Sequence, residues 1–167
     1  MLSQTENSIH SNKIFSKTNN FINSPPKITL WKDKSLGLID PELFSEKAKD
    51  WAFFICKDGQ KLQGNRIIQE KNKQSQLRRF YDEVVRLNDM SKRKIEQKHV
   101  DISLILPALH MLIAKASYAE GRRLVTKSFV SLLSDGIRNV NTKEDLQIFT
   151  NFFEAFIAFY KLNDPKN

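Results

Sequence analysis

The sequence predicts an all-α fold, a five-helix bundle preceded by an extended or mobile N-terminal arm. Three observations carry this. Gly and Pro contribute only five residues each to a chain of 167, too few for a turn-rich β architecture. Phe is abundant, at 12 residues, and supplies bulky apolar faces. Five segments then repeat apolar residues at three- and four-residue spacing, between recognisable helix starts and stops.

Residues 1–39 read as the arm. Their first 26 are polar and Asn/Ser-rich and end at Pro25-Pro26, a composition that lacks the apolar content to fold alone. Lys27 to Trp31 alternates enough for a short strand. The helical domain is expected over 40–167. Asp40 is a capping residue, Pro41 suits the first helical position, and Glu42 complements the dipole. Leu43, Phe44, Ala48, Trp51, Ala52 and Ile55 follow at helical spacing, and Gly59 marks the stop. A polar connector occupies about 59–73.

The second helix is expected from Gln74 to Arg93, with Leu77, Phe80, Tyr81, Val84, Leu87 and Asn88 on one face. A basic loop, Lys92 to Lys98, leads to a third helix beginning near Ser103. Pro107 is tolerable there only because it lies near the first turn. The core face of this helix is Ile105, Leu109, Leu112, Ala116 and Ala119, and Gly121 marks its end or a kink. A fourth helix spans roughly 124–137 through Leu124, Phe129, Leu132, Leu133 and Ile137. The fifth starts at Thr142, whose hydroxyl pairs with Asp145 in a capping box. Leu146, Phe149, Phe153, Phe156, Ile157 and Tyr160 form its apolar face.

The formal charge is +8 and the pI about 9.6, which favours a polyanionic partner, nucleic acid before an anionic membrane. The charge is unevenly placed. Residues 73–98 carry eight basic side chains against four acidic ones, whereas 141–167 carry three against four. That is a footprint rather than a uniform solubilising charge. Cys56 is the only cysteine, so an internal disulfide and a Cys-based metal cluster are both excluded. No apolar leader is visible at the N-terminus, and no apolar run approaches the roughly 18 residues that span a bilayer. These features indicate a cytoplasmic protein without a membrane partner.

No catalytic constellation stands out. Asp58-Gly59 and Gln63-Gly64-Asn65 are turn chemistry rather than a phosphate loop. His10, His99 and His110 lack metal-ligand spacing, and Ser117 and Ser128 have no base nearby in sequence. The chain therefore reads as non-enzymatic, with no cofactor and no metal. Arg79, Arg86 and Arg93 recur every seven residues, but Asp82 and Glu83 lie within reach of the first two, so a salt-bridged solvated face explains them equally well. Arg78 lies beside the apolar stripe with Asp82 as its one close acid, preceded by Lys71 and Lys73. On the third helix Lys115, Tyr118 and Arg122 share a face, Arg123 and Lys127 extend the charge, and only Glu120 opposes them locally. Cations beside an exposed ring are what backbone-tracking nucleic-acid surfaces use. The competing explanation is a helix end whose cations complement the dipole, with a Tyr at the core boundary.

The same residues carry a family resemblance. Gln76-Leu77-Arg78-Arg79-Phe80-Tyr81-Asp82-Glu83-Val84 resembles the Gln/Lys-Leu-Arg…Val helix of the small subunit of the type III-A CRISPR-Cas effector, the Csm complex. Lys115-Ala116-Ser117-Tyr118-Ala119-Glu120-Gly121-Arg122 is similar to that family's Lys-x-x-Tyr-x-x-Gly-Arg stretch. Phe152 to Tyr160 resembles its C-terminal Phe-Glu-Ala-x-x-Ala-Tyr helix. The three blocks occur in the family's order over roughly 40–162. The resemblance implies a five-helix, non-nuclease subunit present in several copies. Its partners would be guide and target RNA, other copies of itself, and the backbone and large subunits of the complex. It implies RNA contacts at Arg78, Lys115 and Arg122, with Lys73, Arg123 and Lys127 joining by proximity. Such a subunit grips backbone and shape, because base pairing supplies specificity. Two other readings remain open: a free-standing helical nucleic-acid binder, and an adaptor docking through its Phe-rich last helix.

Overall fold

The computed structural model describes residues 27–95 and 98–164. Its first element is a small antiparallel hairpin, β1 (Trp31–Asp33) and β2 (Leu38–Ile39), with Trp31 opposite Ile39. Asp33 Oδ1 holds the turn, accepting from Ser35 N at 3.0 Å and Leu36 N at 3.3 Å, and Gly37 takes the left-handed φ of 67° that the reversal requires. Asp40 Oδ1 accepts from Glu42 N at 3.0 Å, but the expected start slips by two residues: Pro41 and Glu42 form a turn, and the first helix begins at Leu43 with Glu42 at the capping position. The opening turn, Leu43–Lys47, is a wide π turn that runs directly into α1 (Ala48–Asp58), and Gly59 caps it.

The connector expected at 59–73 contains a second hairpin, β3 (Gln60–Gln63) and β4 (Arg66–Gln69), in four-residue register around Gly64 at φ 60°. Gly64-Asn65 signalled the turn, but the strands are short and largely exposed, so no buried alternation announced them. Next comes α2 (Gln74–Lys92). The basic loop after it pairs as β5 (Lys94–Ile95) with β6 (Lys98–His99). A 3-10 turn, Ile102–Leu104, is capped by Asp101, whose Oδ1 accepts from Ser103 N at 2.8 Å. It feeds α3 (Leu106–Gly121), with Pro107 in the tolerated first turn. The last helices are α4 (Lys127–Arg138) and α5 (Lys143–Asn163). Among the described residues the fold is a five-helix bundle with three two-stranded hairpins.

The core gathers along α5. Leu146, Phe149, Phe153, Phe156 and Tyr160 are fully buried, and Phe152 joins them. The rings run down the helix with centroids 6.0 Å apart from Phe149 to Phe153, 5.7 Å from Phe153 to Phe156 and 5.8 Å from Phe156 to Tyr160. α1 and α2 pack along the length of α5, and α4 joins it to α3. Gly136 lets α4 approach closely, since any Cβ there would enter the Phe149 ring. With α3, the 3-10 turn makes a 20-residue stretch, Ile102–Gly121, of mean hydropathy 1.5. By length and composition it suffices to cross a bilayer, contrary to the sequence expectation. It nevertheless buries Ile105, Leu109, Leu112 and Ala116 in the common core and carries Lys115 and Glu120.

Residues 27–39, expected to belong to the arm, pack on this bundle; residues 1–26 lie outside the described residues. Ile28 and Leu30 are buried, and Trp31 Nε1 donates to Asp145 Oδ1 at 2.6 Å. Lys34 Nζ donates to both oxygens of the same carboxylate, at 2.9 and 2.8 Å. Asp145 also completes the expected capping box, accepting from Thr142 N at 3.0 Å while its own N–H donates to Thr142 Oγ1 at 3.1 Å. One buried carboxylate thus starts α5 and holds the hairpin. Burial alone would push its ionisation up, but the hydrogen bonds from Lys34, Trp31 and Asn141 N outweigh it and hold the carboxyl below its ordinary value.

A second buried polar residue, Asn72, ties the bundle together just before α2. It is fully buried, with a left-handed φ of 55° that Asn tolerates. Its amide donates to Ile55 O and to Thr126 Oγ1, both at 2.9 Å, and its Oδ1 accepts from Thr126 N at 2.8 Å. Its backbone N–H donates to Leu124 O at 2.9 Å, and its carbonyl accepts from the Tyr160 hydroxyl at 2.6 Å.

Two expectations follow for stability, measured by urea denaturation. Asn72→Ala, which orphans Thr126 N in the interior and removes the amide bonds to Ile55 O and Thr126 Oγ1, costs about 3 kcal/mol. Asp145→Ala costs about 3 kcal/mol at pH 7, from a lost cap and lost charge-assisted bonds, with the half-exposed Lys34 contributing little. Because the folded carboxyl ionises below the unfolded one, its contribution is present above about pH 4 and is lost as pH falls through the folded value. The gap between wild type and Asp145→Ala therefore narrows in acid. A gap that is constant down to pH 3 contradicts the assignment.

Candidate nucleic-acid interface

The end of α3 is sharper than Gly121 suggests. Gly121 stays helical, and the left-handed residue is Arg123, at φ 60°. Arg122 N donates to Tyr118 O at 3.1 Å, Arg123 N to Glu120 O at 2.8 Å and Leu124 N to Ala119 O at 2.9 Å. A left-handed conformation is unfavourable for any residue that carries a Cβ, Arg included, by about 1 kcal/mol. The position keeps an arginine where glycine would relax the backbone. Both Arg122 and Arg123 are exposed. The Arg122 guanidinium lies over the Tyr118 ring, 5.7 Å from its centroid, and the ring itself is 69% exposed.

Beyond this turn the Asn72 network takes over Leu124 and Thr126. That explains why α4 begins at Lys127 rather than near 124: the Thr126 hydroxyl is committed to Asn72 and caps nothing. The same bonds bring the start of α2 against the start of α4. Lys73 is the capping position of α2 and Lys127 the first residue of α4. Neither helix has a side-chain cap or an acid of its own in the first turn, and the α2 start therefore presents an uncapped positive end. Asp58 is the acid nearest in bonding terms, its Oδ2 accepting from Ser128 Oγ at 2.6 Å.

The expected residues therefore fall into two groups. Lys73, Arg122, Arg123 and Lys127 lie within four residues of the Asn72–Thr126 pair that joins the starts of α2 and α4, and Tyr118 and Lys115 precede them on α3. All of these side chains are exposed. Lys115 meets an acid that α3 does not contain, with Nζ 4.0 Å from Glu83 Oε1 on α2. That carboxylate is already held by Arg86, whose Nε and Nη2 both donate at 2.8 Å, and this bond above all keeps its ionisation low. Arg78 stands apart. It is about 140° around α2 from Glu83, and its Nε lies 3.7 Å from Asp82 Oδ1 with both side chains exposed. Of the seven-residue arginine stripe, Arg86 is salt-bridged, while Arg79 makes no ion pair among the described residues.

Asn72 and Glu83 escaped the sequence reading. Lys71-Asn72-Lys73 looked like a polar connector, and only the helix start after it hinted at a special residue there. Glu83 was assigned to intrahelical pairs, which the Arg86 bond bears out, but its reach to α3 depends on packing. His110 is exposed on α3, and no cluster of three or more His, Cys, Asp or Glu among the described residues is placed to hold a metal. Cys56 is buried, its thiol donating to Asn163 O at 3.1 Å, and burial pushes its ionisation up.

A family model described as Csm2 Type III-A matches residues 55–166. Comparison with curated proteins and with solved structures gave no match. The matched span covers well over half of the chain, takes in α2 to α5, and includes all three of the sequence blocks at 76–84, 115–122 and 152–160. The chain belongs to the Csm2 family, and is thereby a small subunit of the type III-A CRISPR complex.

Proposed function

We propose that this subunit is a non-catalytic clamp on the sugar–phosphate backbone of guide and target RNA in a cytoplasmic antiviral ribonucleoprotein. The observation that carries this is the junction at Asn72. Two helix N-termini meet there, neither with an acid of its own in the first turn and with Asp58 alone reaching α4 through Ser128, flanked by Lys73, Arg122, Arg123 and Lys127. Helix N-termini and lysines together suit phosphate oxygens, since free N–H groups and the dipole both favour an anion. Lys115 and Tyr118 extend the track along α3, the ring offering a face to a sugar or base. Arg78, on another flank of α2, contacts a separate length of backbone.

The protein side of the assembly is supported by the outer face of α3 and its lead-in. Leu104, Pro107, Met111 and Ala114 succeed one another at three- and four-residue spacing and are all exposed, with Leu104 at 70% and Met111 at 56%. An apolar stripe of this kind marks a protein contact. We assign it to other copies of the chain and to the backbone and large subunits.

The test is RNA affinity of the assembled complex across a salt series. Replacing Lys73, Arg122 and Lys127 together by Ala should lower the slope of log affinity against log salt by about 2, at roughly 0.7 per contact on single strands. Arg78→Ala should lower it separately by about 0.7. Lys61→Ala, in a pair with Glu70 on the β3–β4 hairpin, should change nothing. A triple variant that assembles normally with wild-type affinity and slope refutes the assignment.

A further inference from the structure

Two residues at the end of α3 stand in the wrong order for the fold. The backbone turns left-handed at Arg123, the position a glycine would relax, while the glycine stands two residues earlier, inside regular helix. Gly121 is exposed, and a Cβ built on it meets nothing within 4 Å. Each of the other four glycines either makes room for a neighbouring group or carries a positive φ. Gly121 does neither, so no feature of the fold calls for glycine there. A helical glycine nevertheless weakens the folding equilibrium about two- to fivefold relative to alanine. A local rule broken without a structural return marks a position that serves something outside the fold.

The missing side chain bares two things. A helical side chain covers the turn before its own Cα, so the residues at i+3 and i+4 flank a ring at i. For Tyr118 these are Gly121 and Arg122. The Arg122 guanidinium lies over the exposed ring, 5.7 Å from its centroid, whereas Gly121 sends nothing toward it. The notch also opens the main chain. The carbonyls of Tyr118, Ala119 and Glu120 accept from Arg122 N, Leu124 N and Arg123 N, but none of the described residues donates to the Gly121 carbonyl. That carbonyl lies at the negative end of the α3 dipole, which favours a hydrogen-bond donor and disfavours a phosphate. Phosphate has its own partners alongside, the exposed Arg122 and Arg123.

We propose that Gly121 is a ribose contact: the sugar of one RNA nucleotide seats in the notch beside Tyr118, its 2′-hydroxyl donating to the Gly121 carbonyl and its flanking phosphates reaching Arg122 and Arg123. The inference rests on the RNA-clamp reading and adds to it a residue that tells ribose from deoxyribose. The 2′-hydroxyl is the group by which a protein distinguishes RNA from DNA at one site. A contact to the sugar carries no base preference, as a subunit that grips backbone and shape requires. A Cβ at position 121 would stand between the sugar and the main chain, which accounts for the glycine. A protein neighbour fits the notch less well, because it would take the exposed Arg122 and Arg123 out of water.

The experiment uses the full chain at low ionic strength, with end-labelled octauridylate and its 2′-deoxy counterpart, which carries the same base, followed by fluorescence anisotropy. Wild type should bind the ribo-octamer about three- to tenfold more tightly, the range of one hydrogen bond. Gly121→Ala should raise the urea midpoint, since alanine suits an exposed helical position, and should bring the two octamers to equal affinity. Lys73→Ala combined with Lys127→Ala should weaken both octamers alike and keep their ratio. Equal affinities in wild type, a ratio that survives in Gly121→Ala, or a urea midpoint of that variant at or below wild type overturns the proposal. Equal affinities in wild type together with a salt slope that falls in the Lys73, Arg122 and Lys127 variant overturn this site alone. An absence of binding to either octamer at any salt concentration overturns both readings. Failure of the Gly121→Ala chain to enter the complex, with its octamer ratio unchanged, assigns the notch to a protein neighbour and likewise overturns the ribose site.

Discussion

The Asn72 amide holds together the parts of the molecule that no helix holds by itself. Its side chain bonds α1 through Ile55 and the α3–α4 connector through Thr126, and its carbonyl takes the hydroxyl of Tyr160 on α5. In a core built otherwise from Phe, Leu and Ile, packing alone leaves helices free to slide by small amounts, since apolar contacts are non-directional. A fully satisfied buried amide removes that freedom, because any slip leaves several polar groups unmet at once. The left-handed turn at Arg123 and the late start of α4 both follow, since Leu124 and Thr126 are fixed by their bonds to Asn72. The basic cluster is therefore a by-product of core geometry. Its cations are exposed and mobile in principle, but the backbone that carries them is set from inside.

Asp145 does for the N-terminal hairpin what Asn72 does for the junction. A carboxylate at a helix start is favoured by the dipole and by the capping box, so its presence at α5 needs no partner from elsewhere. Here the same group also receives Trp31 and Lys34, and Ile28 and Leu30 add buried apolar area beside it. Residues 27–39 thus become part of the bundle, although the sequence groups them with the polar segment before them as an arm. One consequence is that Trp31 stands at the rim of a groove in a fixed orientation, which an arm free of the bundle could not provide.

Features governed by local spacing were legible in the sequence. The Thr142–Asp145 box, the Gly59 stop and the α5 apolar face all depend on residues within a turn or two of each other. Features governed by contacts distant in sequence were not. The hairpins are too short and too exposed to show alternation, Asn72 resembles any polar residue before a helix, and the approach of Glu83 to Lys115 exists only once α2 and α3 are packed. Gly136 is the instructive intermediate case. Only its position against the Phe149 ring shows why a larger residue does not fit. For the candidate site, the sequence grouped Lys115, Tyr118 and Arg122 correctly on one face, because helical spacing decides that. It had no means to join the start of α2 to the start of α4, a link that the Asn72–Thr126 bonds make.

The character of α3 follows from what surrounds each of its faces. One face is buried through Leu109, Leu112 and Ala116, which ordinary amphipathicity requires. The opposite face should then be polar, yet Pro107, Met111 and Ala114 lie there, exposed, for the first half of the helix. Charge and aromatic exposure begin only at Lys115 and rise through Tyr118 to Arg122. A surface that changes from apolar to cationic along a single helix is poorly suited to one kind of partner. Water disfavours its first half, and a purely apolar interface would desolvate the cations of its second half at a cost of several kcal/mol per unpaired charge. The arrangement suits a position where protein ends and polyanion begins. The proposed clamp on RNA requires such a position.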